Sequence, residues 1–135
     1  MIAKKRHRRG AAAVEFAAVA PIMILFMFGI VELGRMLMIK NALTHASREG
    51  ARLAVTPNAT TSDVEERVGI ELQPYFSTVP DVVLTPANLS ASDPGELVTV
   101  RVEVDIADIT WIPGAINIPL TKLIAETTMR RENAY

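Results

Sequence analysis

One carboxylate stands where oil is expected. Between positions 11 and 31 the chain reads AAAVEFAAVAPIMILFMFGIV, and Glu15 is its only charged residue. An ionised acid in a membrane-length apolar helix costs roughly 2.5–3.5 kcal/mol on insertion scales. Facing an ammonium, a buried carboxylate is far less costly than alone. Such a pair also sets the axial register between helices, as a single buried polar group does in a coiled coil. The plainer alternative is that Glu15 snorkels to the nearby interface. Directly before the run stand Lys4, Lys5, Arg6, Arg8 and Arg9, closed by Gly10 at the boundary between charge and oil.

As a helix, the 21 residues 11–31 would span about 31 Å, which matches a hydrocarbon core of about 30 Å. The basic cluster precedes the run and mixed charges, Glu32 and Arg35, follow it. The positive-inside rule then puts the N-terminus in the cytoplasm and the rest of the chain across the membrane. The expected organisation is a basic leader at 1–10, a long helix at 11–55 that spans the membrane at 11–31, and an exported domain at 56–135. A basic n-region before an apolar stretch also resembles a secretory signal. The run is too long for an ordinary h-region, however, and no small-x-small site with a polar flank follows it. An uncleaved signal-anchor explains topology, but neither Glu15 nor Gly10.

Removing the five leader cations from the fourteen Lys/Arg leaves nine against fifteen Asp/Glu, so the remainder carries −6. The chain has no cysteine, which excludes disulfide staples, a thiol nucleophile and zinc–sulfur sites. A domain of about 80 residues without such a staple is marginal alone, so it should lean on the preceding helix or on partner subunits. His7 and His45 are the only histidines. The scattered Ser and Asp residues have no histidine to pair with, and no glycine-rich phosphate loop occurs. Asp105 and Asp108 lack the dense acidic loop of a calcium site. The chain is read as no enzyme, with neither cofactor nor metal. The apolar run accounts for the basic cluster better than nucleic acid does.

The elements that must position these groups follow from periodicity. Pro21 removes one donor inside the long helix, frees the Ala17 carbonyl and should kink it. Beyond the span, Leu33, Leu37, Leu43, Ala46, Gly50 and Ala54 fall near helical spacing, opposite most of the charges. Ala46, Gly50 and Ala54, four apart, make a smooth stripe for close backbone approach. The approaching backbone belongs either to neighbouring subunits or to the chain's own sheet. Thr56-Pro57-Asn58 breaks the helix. Ser62-Asp63-Val64-Glu65 has capping-box form, opening a second helix to about Tyr75 with Val64, Val68 and Leu72 inward. Residues 82–84 form a short strand. Residues 97–106 alternate strictly, with Val98, Val100, Val102, Val104 and Ile106 on one side. Residues 109–119 form an apolar loop with Trp111 as a core or rim anchor. Residues 120–130 form a last strand, antiparallel to 97–106, with Leu123, Ala125, Thr127 and Met129 on one face. The fold class is α+β: a long helix, then one further helix and a small antiparallel sheet of two to four strands.

Gly10, four residues, Glu15 and Phe16 resemble the prepilin peptidase site of the Flp/Tad branch of type IV pilins. The stretches FGIVELGRM, NALTHASREGARLA and TTMRRE resemble TadE-like pilus assembly proteins. The resemblance implies cleavage after Gly10 by a membrane aspartic protease, the prepilin peptidase. Ala11 would be the new N-terminus, and Glu15, the fifth mature residue, would meet the N-terminal amine of a neighbouring subunit. The alanines after Gly10, in place of a GFTLIE-like start, point to the Tad branch. Major Flp pilins lack a domain of this size, so a minor pilin-like subunit of the inner membrane fits, single-pass, with a periplasmic or extracellular domain. Its partners would be the peptidase, other pilin-like subunits, the pilus assembly platform and membrane lipid, with no nucleic acid. The rivals are a signal-anchored extracytoplasmic binding or sensor domain unrelated to pili, and a tethered hydrolase.

Overall fold

The computed structural model describes residues 7–78, 80–111 and 121–132. Most of the leader, positions 112–119 of the apolar loop and Leu120 of the last expected strand lie outside them. The chain divides into two compact units, Met1–Arg35 and Met36–Tyr135. Helix α1, His7–Ala54, contributes residues to both.

In the first unit residues 16–31 of α1 are apolar all round. Its long side chains are exposed, Leu25 at 71% and Ile30 at 70% among them. From Gly10 on, the helix is long and apolar enough to cross a membrane, its best window having a mean hydropathy of 2.3. A helix hydrophobic on every side is stable only where something apolar surrounds it. Pro21 lies inside the helix, which membrane segments tolerate better than soluble ones.

In the second unit α1 becomes one-sided. Ile39, Leu43, Ala46, Ala51 and Ala54 are buried, while Asn41, His45, Arg48 and Arg52 are exposed. Leu33 and Leu37, expected on the inner face, are instead 59% and 57% exposed; the packed stripe begins at Ile39. Gly50 is the point of closest approach. A Cβ there would lie 2.7 Å from Val68 Cγ2 and 3.3 Å from Val100 Cγ1. Glycine is therefore required by sterics, although it costs a helix interior about 0.5–1 kcal/mol relative to alanine.

After α1, Asn58 adopts a left-handed φ of 66°, which short polar side chains tolerate, and the chain re-enters helix at α2, Thr61–Leu72. The capping box is not at 62–65 as its pattern suggested. Thr60 is the extended N-cap: its hydroxyl accepts from the Asp63 amide at 3.3 Å, and its own amide donates to Asp63 Oδ2 at 2.9 Å. These hydrogen bonds, the backbone one first, hold the Asp63 carboxyl below its ordinary value. The helix ends at Leu72 rather than near Tyr75, and Val64, Val68 and Leu72 are buried as expected.

The sheet has three antiparallel strands, β1 Asp81–Thr85, β2 Leu97–Asp105 and β3 Lys122–Arg130, in the order β1-β2-β3. Register aligns Leu84, Val100 and Thr127 across the three strands, and likewise Val82, Val102 and Ala125. The β2 alternation is reproduced, with Val98, Val100, Val102 and Val104 buried. Ile106 does not continue the strand. It opens the short helix α3, Ile106–Ile109, which turns the chain so that Ile109 reaches the core. On the outer face Thr99 and Thr128 share a hydrogen bond of 2.8 Å, and Glu103 accepts from Lys122 at 2.5 Å and from Arg101 at 3.1 Å. The Lys122 hydrogen bond chiefly lowers the Glu103 carboxyl, and Glu103 in turn raises Lys122.

Three ties bind α1 along β3. The Lys40 ammonium donates to the Ile124 carbonyl, the hydroxyls of buried Ser47 and Thr127 lie 2.9 Å apart, and the Glu132 amide donates to the Val55 carbonyl at 3.1 Å. Fifteen residues of helix (about 22 Å) thus run beside eight of strand (about 26 Å).

Two outcomes follow from this packing, both read by denaturant unfolding of the purified chain in detergent. Gly50→Val should lower stability by about 1–3 kcal/mol through overpacking. Gly34→Ala, where a Cβ meets nothing within 4 Å, should be neutral or gain up to about 1 kcal/mol. Because the folded Asp63 carboxyl is depressed, its contribution is present above its ordinary value and lost as pH falls through the folded one. Asp63→Asn should therefore be less stable than the parent at neutral pH, and the gap should close below pH 3.8, the ordinary value.

Candidate processing and assembly segment

Gly10, Ala11, Glu15 and Phe16 lie on one uninterrupted stretch of α1, and all four are exposed, Phe16 at 69%. Helical spacing puts Ala11, Ala12, Ala18 and Val19 one turn from Glu15. Its surroundings on its own helix are therefore small and apolar, which lets a second helix come close to the carboxylate. Among the described residues, Glu15 forms no ion pair. The chain supplies an acid for the apolar zone and, in the described residues, no cation for it.

Gly10 differs from Gly50 in kind. A Cβ at Gly10 would meet nothing within 4 Å, and the residue has ordinary helical backbone. Neither packing nor backbone conformation asks for glycine there, so the fold does not explain it.

Ala46, Gly50 and Ala54 belong to the second unit and are buried in its own core, the two alanines completely. Of the two backbones that the stripe could admit, the structure seats the chain's own sheet and α2 on it. The stripe and Glu15 fall in different units. Pro21 lies among exposed apolar residues of the span.

The remaining candidates are surface groups. His45 Nδ1 stands 3.4 Å from Glu71, and Arg67 bridges Glu71 at 3.0 Å and Glu49 at 3.4 Å, an exposed network that joins α1 to α2. Asp105 and Asp108 are exposed, and no group of side chains among the described residues is arranged to hold a metal. Trp111, expected in the core or at its rim, is 70% exposed.

Sequence reasoning missed Lys40, Ser47 and Arg131. Arg131 donates to the Leu89 carbonyl and the Ser92 hydroxyl, and its amide donates to the Glu96 carbonyl at 2.8 Å. Ser47 had a readable signal, since it adjoins the small-residue stripe. Lys40 and Arg131 had none, because each binds a carbonyl or hydroxyl far along the chain.

Residues 10–52 match the family model of TadE-like proteins. The match begins at Gly10, one of the glycines that the fold does not require, and ends two residues past Gly50, which it does. It bears out the resemblance to TadE-like proteins over that stretch. Together with the long apolar helix it indicates membrane anchoring. No curated protein and no solved structure matches the chain.

Proposed function

We propose that this protein is a minor pilin-like subunit that acts in assembly or initiation of a Tad-type pilus, and that a prepilin peptidase cleaves it after Gly10. The observation that supports this most is the pairing of a glycine without structural cause and an acid without a described partner, five residues apart at the start of a membrane-length helix. Cleavage answers both at once. A protease subsite that admits no side chain accounts for Gly10. The new amine at Ala11 supplies an ammonium one helical turn from Glu15 on the same chain, and within reach of Glu15 on a neighbouring helix.

In this reading the basic leader stays in the cytoplasm and the sheet-bearing unit lies across the inner membrane. Before cleavage, Glu15 sits near the cytoplasmic interface, where hydration moderates its cost. In an assembled array the carboxylate faces the ammonium of another copy or of a related subunit, and the small residues around it allow the approach. Mismatched register leaves two buried charges apart, a cost of about 3–5 kcal/mol, so the pair selects one axial offset. The protein is then a peptidase substrate and a structural part, positioned among pilin-like subunits and the assembly platform.

N-terminal sequencing of the cell-associated protein should return Ala11, and Gly10→Leu should give a heavier, unprocessed band; an intact leader in the parent would overturn the proposal. Glu15→Ala should insert as well as the parent or better, by up to about 2.5–3.5 kcal/mol on insertion scales. It should also reduce surface pili by about tenfold or more, since an unmatched buried ammonium costs several kcal/mol. Unchanged pilus counts would remove the role assigned to the acid.

A further inference from the structure

We propose that the outer edge of β3 pairs with the same edge of a second copy of this chain, antiparallel and centred on Thr128. The contact lies wholly within the second unit and depends neither on cleavage at Gly10 nor on a role in pili.

Residues of an antiparallel strand turn their backbone polar groups alternately to one side and the other. Just before β3 the Thr121 carbonyl accepts from the Ile106 amide at 2.9 Å. Just after it Arg131 donates to the Glu96 carbonyl at 2.8 Å and accepts from the Gly95 amide at 3.1 Å. The register between β2 and β3 is unbroken from Lys122 to Arg130. Leu123, Ala125, Thr127 and Met129 therefore point these groups at β2, and Lys122, Ile124, Glu126, Thr128 and Arg130 point them away. The ties to α1 agree, since the Lys40 ammonium is held by the Ile124 carbonyl and the Glu132 amide by the Val55 carbonyl. Between those two ends, the outward backbone groups of Glu126, Thr128 and Arg130 meet no strand and no backbone partner among the described residues. Such an edge is a template for another strand. The opposite edge of the sheet is blunted: β1 is only five residues long and lies between Pro80 and Pro86, which cannot donate to a ladder.

The charges on this edge name the occupant. Glu126, Thr128 and Arg130 are all exposed. Among the described residues neither Glu126 nor Arg130 has an ion pair, and Arg101, opposite Glu126 on β2, is taken by Glu103 at 3.1 Å. A two-fold axis at Thr128 sets that residue against itself. It also sets Glu126 against the second copy's Arg130, and Arg130 against the second copy's Glu126. Opposite charges directly across a pair of strands stabilise it, and like charges do the reverse. Each of these outward pairs exchanges two backbone hydrogen bonds, and the pairing stops where Lys40 and Val55 already hold the edge. Other registers forfeit the match. Moving the axis by one residue leaves Arg130 opposite Ile124 or puts Glu126 opposite Glu132, and moving it by two sets Glu126 or Arg130 against itself. Charges of a single sign would guard the edge against its own copy, whereas Glu126 and Arg130 complement each other across the axis. On the inner face the half-buried Thr127 and Met129 meet their counterparts and are covered further.

The chain has no cysteine, so a single introduced cysteine reports its own contact. Residues opposite each other in a hydrogen-bonded pair have Cα atoms about 5.5 Å apart, within the range of about 4.4–6.8 Å that a disulfide spans. Mild oxidation of the full chain in detergent micelles should therefore link Thr128→Cys into a dimer. Val83→Cys, at an exposed position on β1, should link far less. In the Thr128→Cys background, Glu126→Arg sets like charges opposite each other twice and should lower the yield by about fivefold or more. Arg130→Glu should do the same, and the two exchanges together should restore the dimer. Equal linking at positions 83 and 128 would overturn the assignment to this edge, because association through α1 alone would give that result. Charge exchanges without effect, or a double exchange that fails to restore the dimer, would overturn the register. A Thr128→Cys chain that stays monomeric would overturn the second copy as occupant and leave the edge to a strand of another protein.

Discussion

The close approach at Gly50 is the constraint on which the sheet-bearing unit depends. With Val68 Cγ2 2.7 Å and Val100 Cγ1 3.3 Å from where a Cβ would stand, side chains of α2 and the central strand fill the space directly over the α1 backbone. Ala46 and Ala54, one turn away on either side, are completely buried. The three strands are too few, and the chain too poor in large aromatic residues, to make a thick core. A thin interface between small residues on the helix and valines on β2 and α2 achieves high packing density with modest volume instead. The clasp along β3 then follows from geometry, because a helix held this close over β2 brings Lys40 and Ser47 within reach of the next strand. The C-terminal strand is thereby fixed to the helix at both ends and in the middle.

Much of this was legible in order, and less in detail. Strict alternation from Val98 to Val104 specifies a strand with one buried face, and Val64, Val68 and Leu72 specify a helix face; both survive because period and burial agree. The last strand was readable from Leu123, Ala125, Thr127 and Met129 for the same reason. The cap was displaced by two residues because Ser62 and Thr60 each precede an acid at the right spacing. The left-handed turn at Asn58 is what decides between them, by bringing Thr60 into extended conformation first. Leu33 and Leu37 misled because leucine at helical spacing is the usual mark of a packed face, whereas here the packed stripe starts only at Ile39 and continues past Leu43 in alanine and glycine. Ile106 fits the strand pattern and nonetheless leaves it, since the chain must turn to bury Ile109.

The candidate segment was legible for a different reason. At Gly10 and Glu15 the sequence breaks local rules, a helix-weakening glycine and a charge in an apolar run, and the fold offers no compensation for either. At Gly50 the same kind of rule is broken and the compensation is visible in the neighbouring valines. Local violations that the fold itself repays are structural. Violations that it does not repay point outside the chain; in the proposed function a processing enzyme and a neighbouring helix answer them. His45 and Asp108 break no rule, and they stand on the surface.

The two patterns on α1 also explain where the chain divides. From position 16 to 31 the helix is apolar around its whole circumference. From Ile39 onward it is apolar on one stripe and charged or polar elsewhere. An apolar surrounding such as hydrocarbon satisfies the first pattern, and a packed layer on one side satisfies the second. The change falls across Glu32, Leu33, Gly34 and Arg35, and the boundary between the compact units falls at Arg35 and Met36. A small domain without disulfides needs every buried surface available to it, and residues 39–54 provide a large part of its core. The helix that leads to the membrane is therefore also the first element of the fold, and removing it to make a soluble fragment would remove the floor on which the sheet is packed.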